Sequence, residues 1–307
     1  MTAPTTPASA APSSQGGIPA FLNAGGGNAD AAREALTGED FDLRELEPDN
    51  LEDELRSAVE SGAKRIVVAG GDGTIATAAG VVAGTETELA VLPAGTLNHF
   101  SKDHGIPTDL DEAAKVATGT VIEKADLGYV GDAVFLNTSS IGAYVTFVRT
   151  RERFEKTFGY KIGSFLALVR LLFSLRTFSI ELEVRGVKKS YRTPMVFIGV
   201  GERELQVPTL GARKEGGERG LHVMIVQGRK TVRLFAIALA AMAKGTKGAA
   251  QLPHFDSFIV DACRIELTRP SATVAVDGEL KGMNSPLDYR IERDAINLVV
   301  PAPQSAQ

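Results

Sequence analysis

The sequence predicts an α/β protein in two parts: a doubly wound parallel α/β domain over residues 18–128 and a β-rich sandwich domain over residues 129–307. In the first part, short apolar runs alternate with helical patterns, which is typical of a parallel sheet covered by helices on both faces. In the second part, segments of alternating hydrophobicity separated by glycine turns favour antiparallel strands. Hydrophobic residues make up 44% of the 307 positions. This is enough to fill a core, so the composition excludes global disorder.

The elements of the first part begin after a tail. Residues 1–17 carry no charged side chain, and they are too poor in apolar surface to offset the entropy of ordering, so we expect a disordered tail. The apolar runs that follow predict strands at 18–23, 41–46, 65–69 and 89–93. The amphipathic patterns between and after them predict helices at 29–36, 50–61, 74–82 and 109–117.

The second part shows a different pattern of hydrophobic residues. Alternating hydrophobicity predicts strands at 178–185, 189–200, 221–227, 258–267 and 271–276. Two helical patterns interrupt them, at about 141–176 and 231–244. The last apolar run, at 295–301, fits a strand of either domain.

Charge and cysteine content narrow the functional classes. Lys plus Arg number 33 against 38 Asp plus Glu, which gives a net charge of −5, and an acidic chain lacks the positive field that phosphate backbones require, so we expect no nucleic-acid partner. Cys263 is the single cysteine, which excludes an internal disulfide framework and a cysteine zinc cluster. No apolar run reaches the roughly 18–20 residues of a membrane span, and no signal peptide is evident. We therefore expect a cytoplasmic protein, soluble or peripheral at the membrane.

A glycine-rich turn follows the strand predicted at 65–69 and reads Gly70-Gly71-Asp72-Gly73-Thr74. Glycines let the backbone approach a phosphate closely, and free N–H groups at the start of a helix favour an anion. The Asp72 carboxylate could hold a magnesium ion between phosphates. The alternative is a tight strand-to-helix turn in which Asp72 or Thr74 caps the helix.

A second turn follows the strand predicted at 89–93 and contains Gly95, Thr96 and Asn98. Ligands bind at the carboxyl ends of strands in open parallel sheets, so two polar turns on neighbouring strands predict a crevice. The alternative for this turn is ordinary helix capping by Thr96.

Two carboxylates stand close together near the C-terminus, in Asp277-Gly278-Glu279. If the strand predicted at 271–276 continues, Asp277 and Glu279 share one face, and their proximity raises the proton affinity of one of them. Glu279 could then accept the proton of an attacking hydroxyl group. The alternative is a hairpin turn, for which Asp-Gly is a strong signal.

Four motifs together resemble one family. LNAGGG (22–27), GGDGT (70–74), LPAGTLNHFSKDHGIP (92–107) and VDGEL (276–280) occur in the order typical of the diacylglycerol kinase catalytic-domain family, the bacterial lipid kinases related to sphingosine kinases. The resemblance covers most of residues 18–301. GGDGT alone also occurs in NAD kinases, and the block that follows Gly95 is what directs the resemblance to lipid kinases.

The resemblance implies an ATP-dependent kinase that phosphorylates a lipid hydroxyl, with diacylglycerol as the leading acceptor and the active site between the two domains. Glu279 would be the general base, assisted by Asp277. Asp72 and Asp126 would join the magnesium network. The residues implied in nucleotide binding are Asn23, Gly70, Gly71, Asp72, Gly73, Thr74, Ile75, Ala76, Gly95, Thr96 and Asn98. Two other functions stay open, an NAD kinase-like activity on a soluble substrate and a non-catalytic nucleotide or lipid binder.

Three positions depart from the family pattern. Many members carry Asp at the position of His99, and a histidine is a poor ligand for magnesium. The family's second-domain magnesium turn reads Glu218-Arg219-Gly220 here. Because Arg219 replaces an Asp, we expect that second metal site to be weak or absent. The turn after Asn23 also lacks the proline that often follows the Asn.

Residues 149–176 form a candidate membrane-facing element. Basic side chains precede the apolar run IGSFLALVRLLFSL within it, and such a pair could rest on an anionic bilayer and admit a lipid. The alternative is a core helix with a solvated flank. Neither the identity of the acceptor lipid nor the oligomeric state can be determined from the sequence.

Overall fold

The computed structural model describes residues 17–143, 145, 177–204, 212–226 and 255–303. The predicted tail at 1–17 (apart from residue 17), the candidate membrane element at 149–176 and the predicted helix at 231–244 lie outside these residues. Within the described residues, no helix is long and apolar enough to cross a membrane.

The N-terminal part is a parallel α/β layer structure. Its strands are β1 (Ile18–Asn23), β2 (Phe41–Leu46), β3 (Arg65–Gly70) and β4 (Glu88–Pro93). Its helices are α1 (Ala29–Ala35), α2 (Pro48–Glu60), α3 (Asp72–Val82), α4 (His99–Asp103) and α5 (Leu110–Ala117). The strands lie in the order β2-β1-β3-β4 and pair in parallel. Apolar side chains of the helices pack against those of the sheet around β3, whose residues from 66 to 70 are all buried. The one-turn helix α4 was not predicted.

The C-terminal part is antiparallel. Its strands are β5 (Ile122–Val130), β6 (Ala133–Phe135), β7 (Thr138–Gly142), β8 (Phe178–Val184), β9 (Val187–Thr193), β10 (Met195–Val200), β11 (Leu221–Val226), β12 (Phe255–Val260), β13 (Ala262–Leu267), β14 (Ser271–Val276), β15 (Glu279–Asn284) and β16 (Leu287–Val299). Six of them form a separate sheet in the order β12-β11-β10-β7-β14-β15. This arrangement confirms the predicted fold class.

Two predicted strands are each divided between the two sheets. The segment at 189–200 becomes β9 and β10, which separate at Pro194, and the segment at 258–267 becomes β12 and β13, which separate at Asp261. A proline has no N–H for the ladder, so it favours such a break. Hydrophobic alternation continues across both corners, which explains why the sequence pattern did not reveal them.

One long strand joins the two parts. β16 pairs in parallel with β4 through Asn297 and Glu88, and it pairs antiparallel with β5 and with β13. A ten-stranded sheet therefore runs from β2 to β9. The proposed boundary after residue 128 falls within β5, and the apolar run at 295–301 overlaps the end of β16. The six-stranded sheet packs on the antiparallel half, with Val196 and Val274 in one core with Ile265 and Tyr289.

Candidate active site

The two glycine turns contact each other where β3 and β4 end. Gly70 pairs with Pro93 in the parallel ladder, which brings both turns to one edge of the sheet. A methyl group on Gly95 would lie 2.5 Å from the Cα of Gly71, and one on Gly70 would lie 2.6 Å from the Thr74 side chain. The backbone of Gly71 therefore leaves room only for glycine at position 95, the Thr74 side chain does the same at position 70, and the turns form the predicted crevice.

Helix α3 begins inside the first turn. Gly71 is its N-cap residue and no side chain caps the helix, so its first N–H groups face the crevice without an intrahelical partner. The amide of Asn23 at the end of β1 donates to the Thr74 hydroxyl at 2.9 Å, which ties the first strand to this helix start. Ala76 lines the cavity described below, whereas the Ile75 side chain is fully buried in the core. The implied nucleotide contact of Ile75 is therefore restricted to its backbone.

Asp72 connects the two turns. Its carboxylate accepts hydrogen bonds from the N–H groups of His99 and Phe100, both at 3.2 Å. Asp72 therefore caps α4 rather than its own helix, because an acceptor at a helix start satisfies free N–H groups. The His99 side chain, which stands where many family members have Asp, is exposed.

Asn98 shapes the second turn from within. It has a left-handed backbone with φ of 51°, and its side chain accepts from the N–H of Gly95 at 3.0 Å and donates to the carbonyl oxygens of Pro93 and Gly95. These bonds show that the side-chain amide holds the turn, and the implied direct contact of Asn98 with a nucleotide stays a prediction. Thr96, in contrast, is exposed.

The Asp277-Gly278 pair forms a hairpin turn between β14 and β15. Both residues have positive φ, 47° and 90°, as the two central residues of a type I′ turn require. The expectation that the strand continues and places Asp277 and Glu279 on one face is therefore wrong. The reversal nevertheless keeps both carboxylates at the cleft, since Glu279 is the first residue of β15 and pairs with Val276.

The Asp277 carboxylate is partly buried at the edge of the cavity described below and holds the hairpin in place. It accepts hydrogen bonds from the N–H groups of Leu136 at 2.7 Å, Asn137 at 2.9 Å and Thr138 at 2.8 Å. Burial raises the pKa of Asp277 to about 6, and the neighbouring charge of Asp72 adds to this effect, while the three N–H donors oppose it.

Glu279 lies directly against the first glycine turn. A methyl group on Gly73 would overlap its carboxylate. The Glu279 side chain is 59% exposed, and its Oε2 lies 4.0 Å from the Nζ of Lys281. A carboxylate of the antiparallel sheet thus reaches the helix start of the parallel sheet.

A cavity of about 450 Å³ opens between these two walls. It is bordered by α2, α3, the β5–β6 hairpin and the β14–β15 hairpin. The predicted residues that line it are Asn23, Gly73, Thr74, Ala76, Asp277 and Glu279. Arg56 and Lys281 also line it, and the sequence analysis did not identify either one. An exposed Arg or Lys carries no local signal that distinguishes it from a solvated surface residue.

Asp126 is not among the described residues that line this cavity. Arg219 donates to both of its carboxylate oxygens, and the N–H of Asp294 donates at 2.9 Å. Burial opposes ionisation of Asp126, but these bonds outweigh burial and lower its pKa below the ordinary value. The implied magnesium role of Asp126 is corrected, because a guanidinium occupies the oxygens that a metal would need. The same pairing supports the expectation that Arg219 opposes a second metal site.

The fit to magnesium rests on Asp72. In the part of the chain that the structure describes, no group of three or more His, Cys, Asp or Glu side chains could hold a metal ion. A magnesium ion that arrives with nucleotide phosphates needs only one or two protein carboxylates. Asp72 fits that requirement, since it is partly exposed at the turn that would hold the phosphates.

Comparison with known proteins supports the family resemblance of the N-terminal part. Residues 21–130 match the family model described as the diacylglycerol kinase catalytic domain, which confirms the resemblance. A Pseudomonas putida protein named "Probable lipid kinase YegS-like" is 37% identical over 153 residues, which are 48% of this chain and 50% of that protein. A Mycobacterium tuberculosis protein named "Diacylglycerol kinase" is 35% identical over 100 residues, 32% of this chain and 30% of that protein.

Structural similarity extends further along the chain. A crystal structure described as a diacylglycerol kinase from Bacillus anthracis has a TM-score of 0.66 at 17% identity and covers 96% of this chain and 100% of that one. At this identity the similarity shows the fold alone. The chain spans about half the length of several curated relatives that it matches.

Replacing Gly95 with Ala tests the contact between the turns. The added methyl group would meet the backbone of Gly71, so we expect Gly95→Ala to lower the free energy of unfolding by about 1–3 kcal/mol. Gly27→Ala is the matched control, because a methyl group there has no neighbour within 4 Å. Urea denaturation measures both variants. Equal stabilities of the two variants would contradict the proposed contact.

Asp277→Asn tests the partly buried carboxylate through pH. Because the folded-state pKa is raised to about 6, the stability that Asp277 contributes is fully present below about pH 4 and is lost as pH rises through 6. At about 1.4 kcal/mol per pKa unit, the variant should gain on the order of 2–3 kcal/mol relative to the wild type between pH 4 and 7. Urea titrations at several pH values measure this difference, with the exposed Asp288→Asn as control. A difference independent of pH would contradict the assignment.

Proposed function

We propose that this protein, which carries the diacylglycerol kinase match at residues 21–130, is an ATP-dependent lipid kinase. It would transfer the γ-phosphate of ATP to a lipid hydroxyl, with diacylglycerol as the leading acceptor. The observation that carries the proposal is the contact of Glu279 with Gly73. Phosphoryl transfer requires alignment and charge neutralisation more than covalent chemistry, and this contact joins a phosphate-type turn to a proton acceptor.

The glycine turns would bind ATP. The free N–H groups at the start of α3 and the positive end of its dipole favour the phosphates of ATP. Arg56 and Lys281 line the same cavity and add positive charge. Asp72 would hold a magnesium ion, which when bound neutralises phosphate charge. We propose direct nucleotide contact for Asn23, Thr74 and the backbone of residues 70–76.

The acceptor half belongs to the β14–β15 hairpin. Glu279 would accept the proton of the lipid hydroxyl as the hydroxyl oxygen bonds to the γ-phosphorus of ATP. The bond between the γ-phosphorus and the β–γ bridging oxygen breaks in the same step, which releases ADP. Asp277, fixed by three backbone N–H groups, would keep the turn that carries Glu279 in position. The exposure of Glu279 leaves room for an acceptor to approach.

A lipid acceptor implies contact with a membrane surface. We propose that the protein is a peripheral rather than a spanning protein, and residues 149–176 remain the candidate contact. They lie outside the described residues.

A second candidate is a non-catalytic nucleotide or lipid binder. The observation that favours it is the capture of Asp126 by Arg219, together with His99 in place of Asp. Both features reduce the number of carboxylates available to a metal near the phosphates. Such a protein would bind ATP without acceptor-dependent turnover.

Glu279→Gln separates these candidates. Loss of the general base should lower kcat by about 10²- to 10⁴-fold, while ATP affinity stays within about threefold because the glycine turns are intact. Glu183→Gln, at a partly exposed glutamate of β8 in the ten-stranded sheet, is the matched control. The measurement is transfer of label from γ-labelled ATP to lipid extracted into chloroform. Full activity in Glu279→Gln would contradict the role of this residue.

The acceptor is identified in the same assay. Diacylglycerol, phosphatidylglycerol and sphingosine are offered in mixed micelles, and NAD is offered as a soluble acceptor. Label in diacylglycerol supports the leading proposal, and label in another lipid reassigns the acceptor. Label in NAD supports a soluble-substrate kinase, and ATP binding without transfer to any acceptor supports the binder.

A further inference from the structure

We propose that Arg203 is a positioning residue whose buried ion pair with Asp103 aligns the two walls of the active-site cleft. The inference rests on the proposed function, since alignment matters here for transfer between a nucleotide on one wall and an acceptor on the other. Neither Arg203 nor Asp103 is among the described residues that line the cavity.

Arg203 is a buried charge with fixed partners. Its side chain is 3% exposed, and its Nη1 donates to Asp103 Oδ2 at 2.8 Å. Its Nη2 donates to the carbonyl oxygen of Val200 at 2.6 Å, and its backbone N–H donates to His222 Nδ1 at 2.8 Å. The two Nη groups are thus fixed at both ends of the rigid guanidinium fork, and its Nε is buried without a partner in the part of the chain that the structure describes.

Asp103 connects Arg203 to the nucleotide wall. It is the last residue of α4, and the first two N–H groups of that helix, from His99 and Phe100, hold the Asp72 carboxylate. The five residues of α4 span only about 7.5 Å at about 1.5 Å per residue, so its two ends move together. A shift at Asp103 is therefore transmitted to Asp72 and to the second glycine turn, which leads into α4.

Val200 connects Arg203 to the acceptor wall. Its N–H donates to the carbonyl oxygen of Asn137 at 3.0 Å, and the N–H of Asn137 donates to Asp277 at 2.9 Å. Strand β10, which ends at Val200, also pairs with β7, and β7 pairs with β14 beside the hairpin. Arg203 is thus one short hydrogen-bonded chain away from the turn that presents Glu279.

The charged groups around Arg203 favour its pairing with Asp103. Burial opposes its positive charge, and Asp103 and Asp277 stabilise that charge, while Arg213 opposes it. Because a buried charge without its partner is strongly unfavourable, the pair stays closed only when both walls are in register. Movement of one wall against the other would leave the Arg203 charge in the interior without its carboxylate partner.

The test uses Arg203→Lys and Asp103→Asn in the full chain. Lysine keeps the charge but cannot bond to Asp103 and Val200 together, and asparagine keeps the shape without the charge. We expect kcat to fall about 10- to 100-fold because small misalignments are costly. The KM for ATP should change less than kcat does, since the first glycine turn follows β3 in the parallel sheet, which the substitutions leave intact. The double variant should be no worse than the more impaired single variant.

Amide hydrogen exchange provides a second readout that needs no turnover. In both variants the amides of His99 and Phe100 should exchange at least about tenfold faster, while those of the ladder between β14 and β15 stay protected. Arg264→Lys and Asp288→Asn are the matched controls, an arginine–aspartate pair at 3.2 Å that is 50% and 61% exposed. These controls should leave exchange and kcat unchanged.

The outcomes separate this inference from the proposed function. Unchanged exchange at the two amides, unchanged kcat, or additive losses in the double variant would overturn the role of Arg203. If Arg203→Lys fails to fold by circular dichroism, Asp103→Asn decides by the same criteria. A wild type that shows no transfer to any acceptor would overturn the proposed function, and the exchange data would then still decide whether Arg203 couples the walls.

Discussion

The partly buried Asp277 carboxylate forms the interaction on which the rest of the cleft depends. Three consecutive backbone N–H groups, from Leu136, Asn137 and Thr138, bind it and tie the β14–β15 hairpin to the link between β6 and β7. A carboxylate is costly to bury unless it is hydrogen-bonded, so the hairpin has one stable position. That position places Glu279 against Gly73, on the opposite wall. The spatial relation that makes a kinase site plausible is therefore a consequence of satisfying one partly buried charge.

The remaining acidic residues near the cleft have different partners, and these partners determine what each residue can do. Among the described residues, Asp72 is bound by two backbone N–H groups at 3.2 Å, so it keeps the capacity to bind a cation. Asp126 is fully engaged by Arg219 and does not have that capacity. Asp103 is paired with buried Arg203. Position in the motif is therefore not enough to identify a metal ligand, because the nearest guanidinium decides whether the oxygens are free.

The two parts of the chain form one platform because β16 crosses from one to the other. Its C-terminal end lies beside β4 in the parallel region, and its N-terminal end lies beside β13 in the antiparallel region. β16 contributes side chains to the hydrophobic cores of both parts. It thus anchors both the sheet edge where the glycine turns meet and the hairpin that carries Glu279. A hinge between freely moving domains is not needed to explain how the walls meet, and the charges at Arg203 reinforce their alignment.

The sequence alone determined the fold class, most strands of the parallel part, both glycine turns and the acidic pair, since each depends on a local pattern of hydrophobicity, glycine or charge. It failed where long-range packing decides. Pro194 and Asp261 turn the chain from one sheet to the other although alternation continues through them. The pairings of Asp126 with Arg219 and of Asp103 with Arg203 join residues 93 and 100 positions apart. No local periodicity encodes such distances, because they follow from the register of strands that meet only in the folded chain.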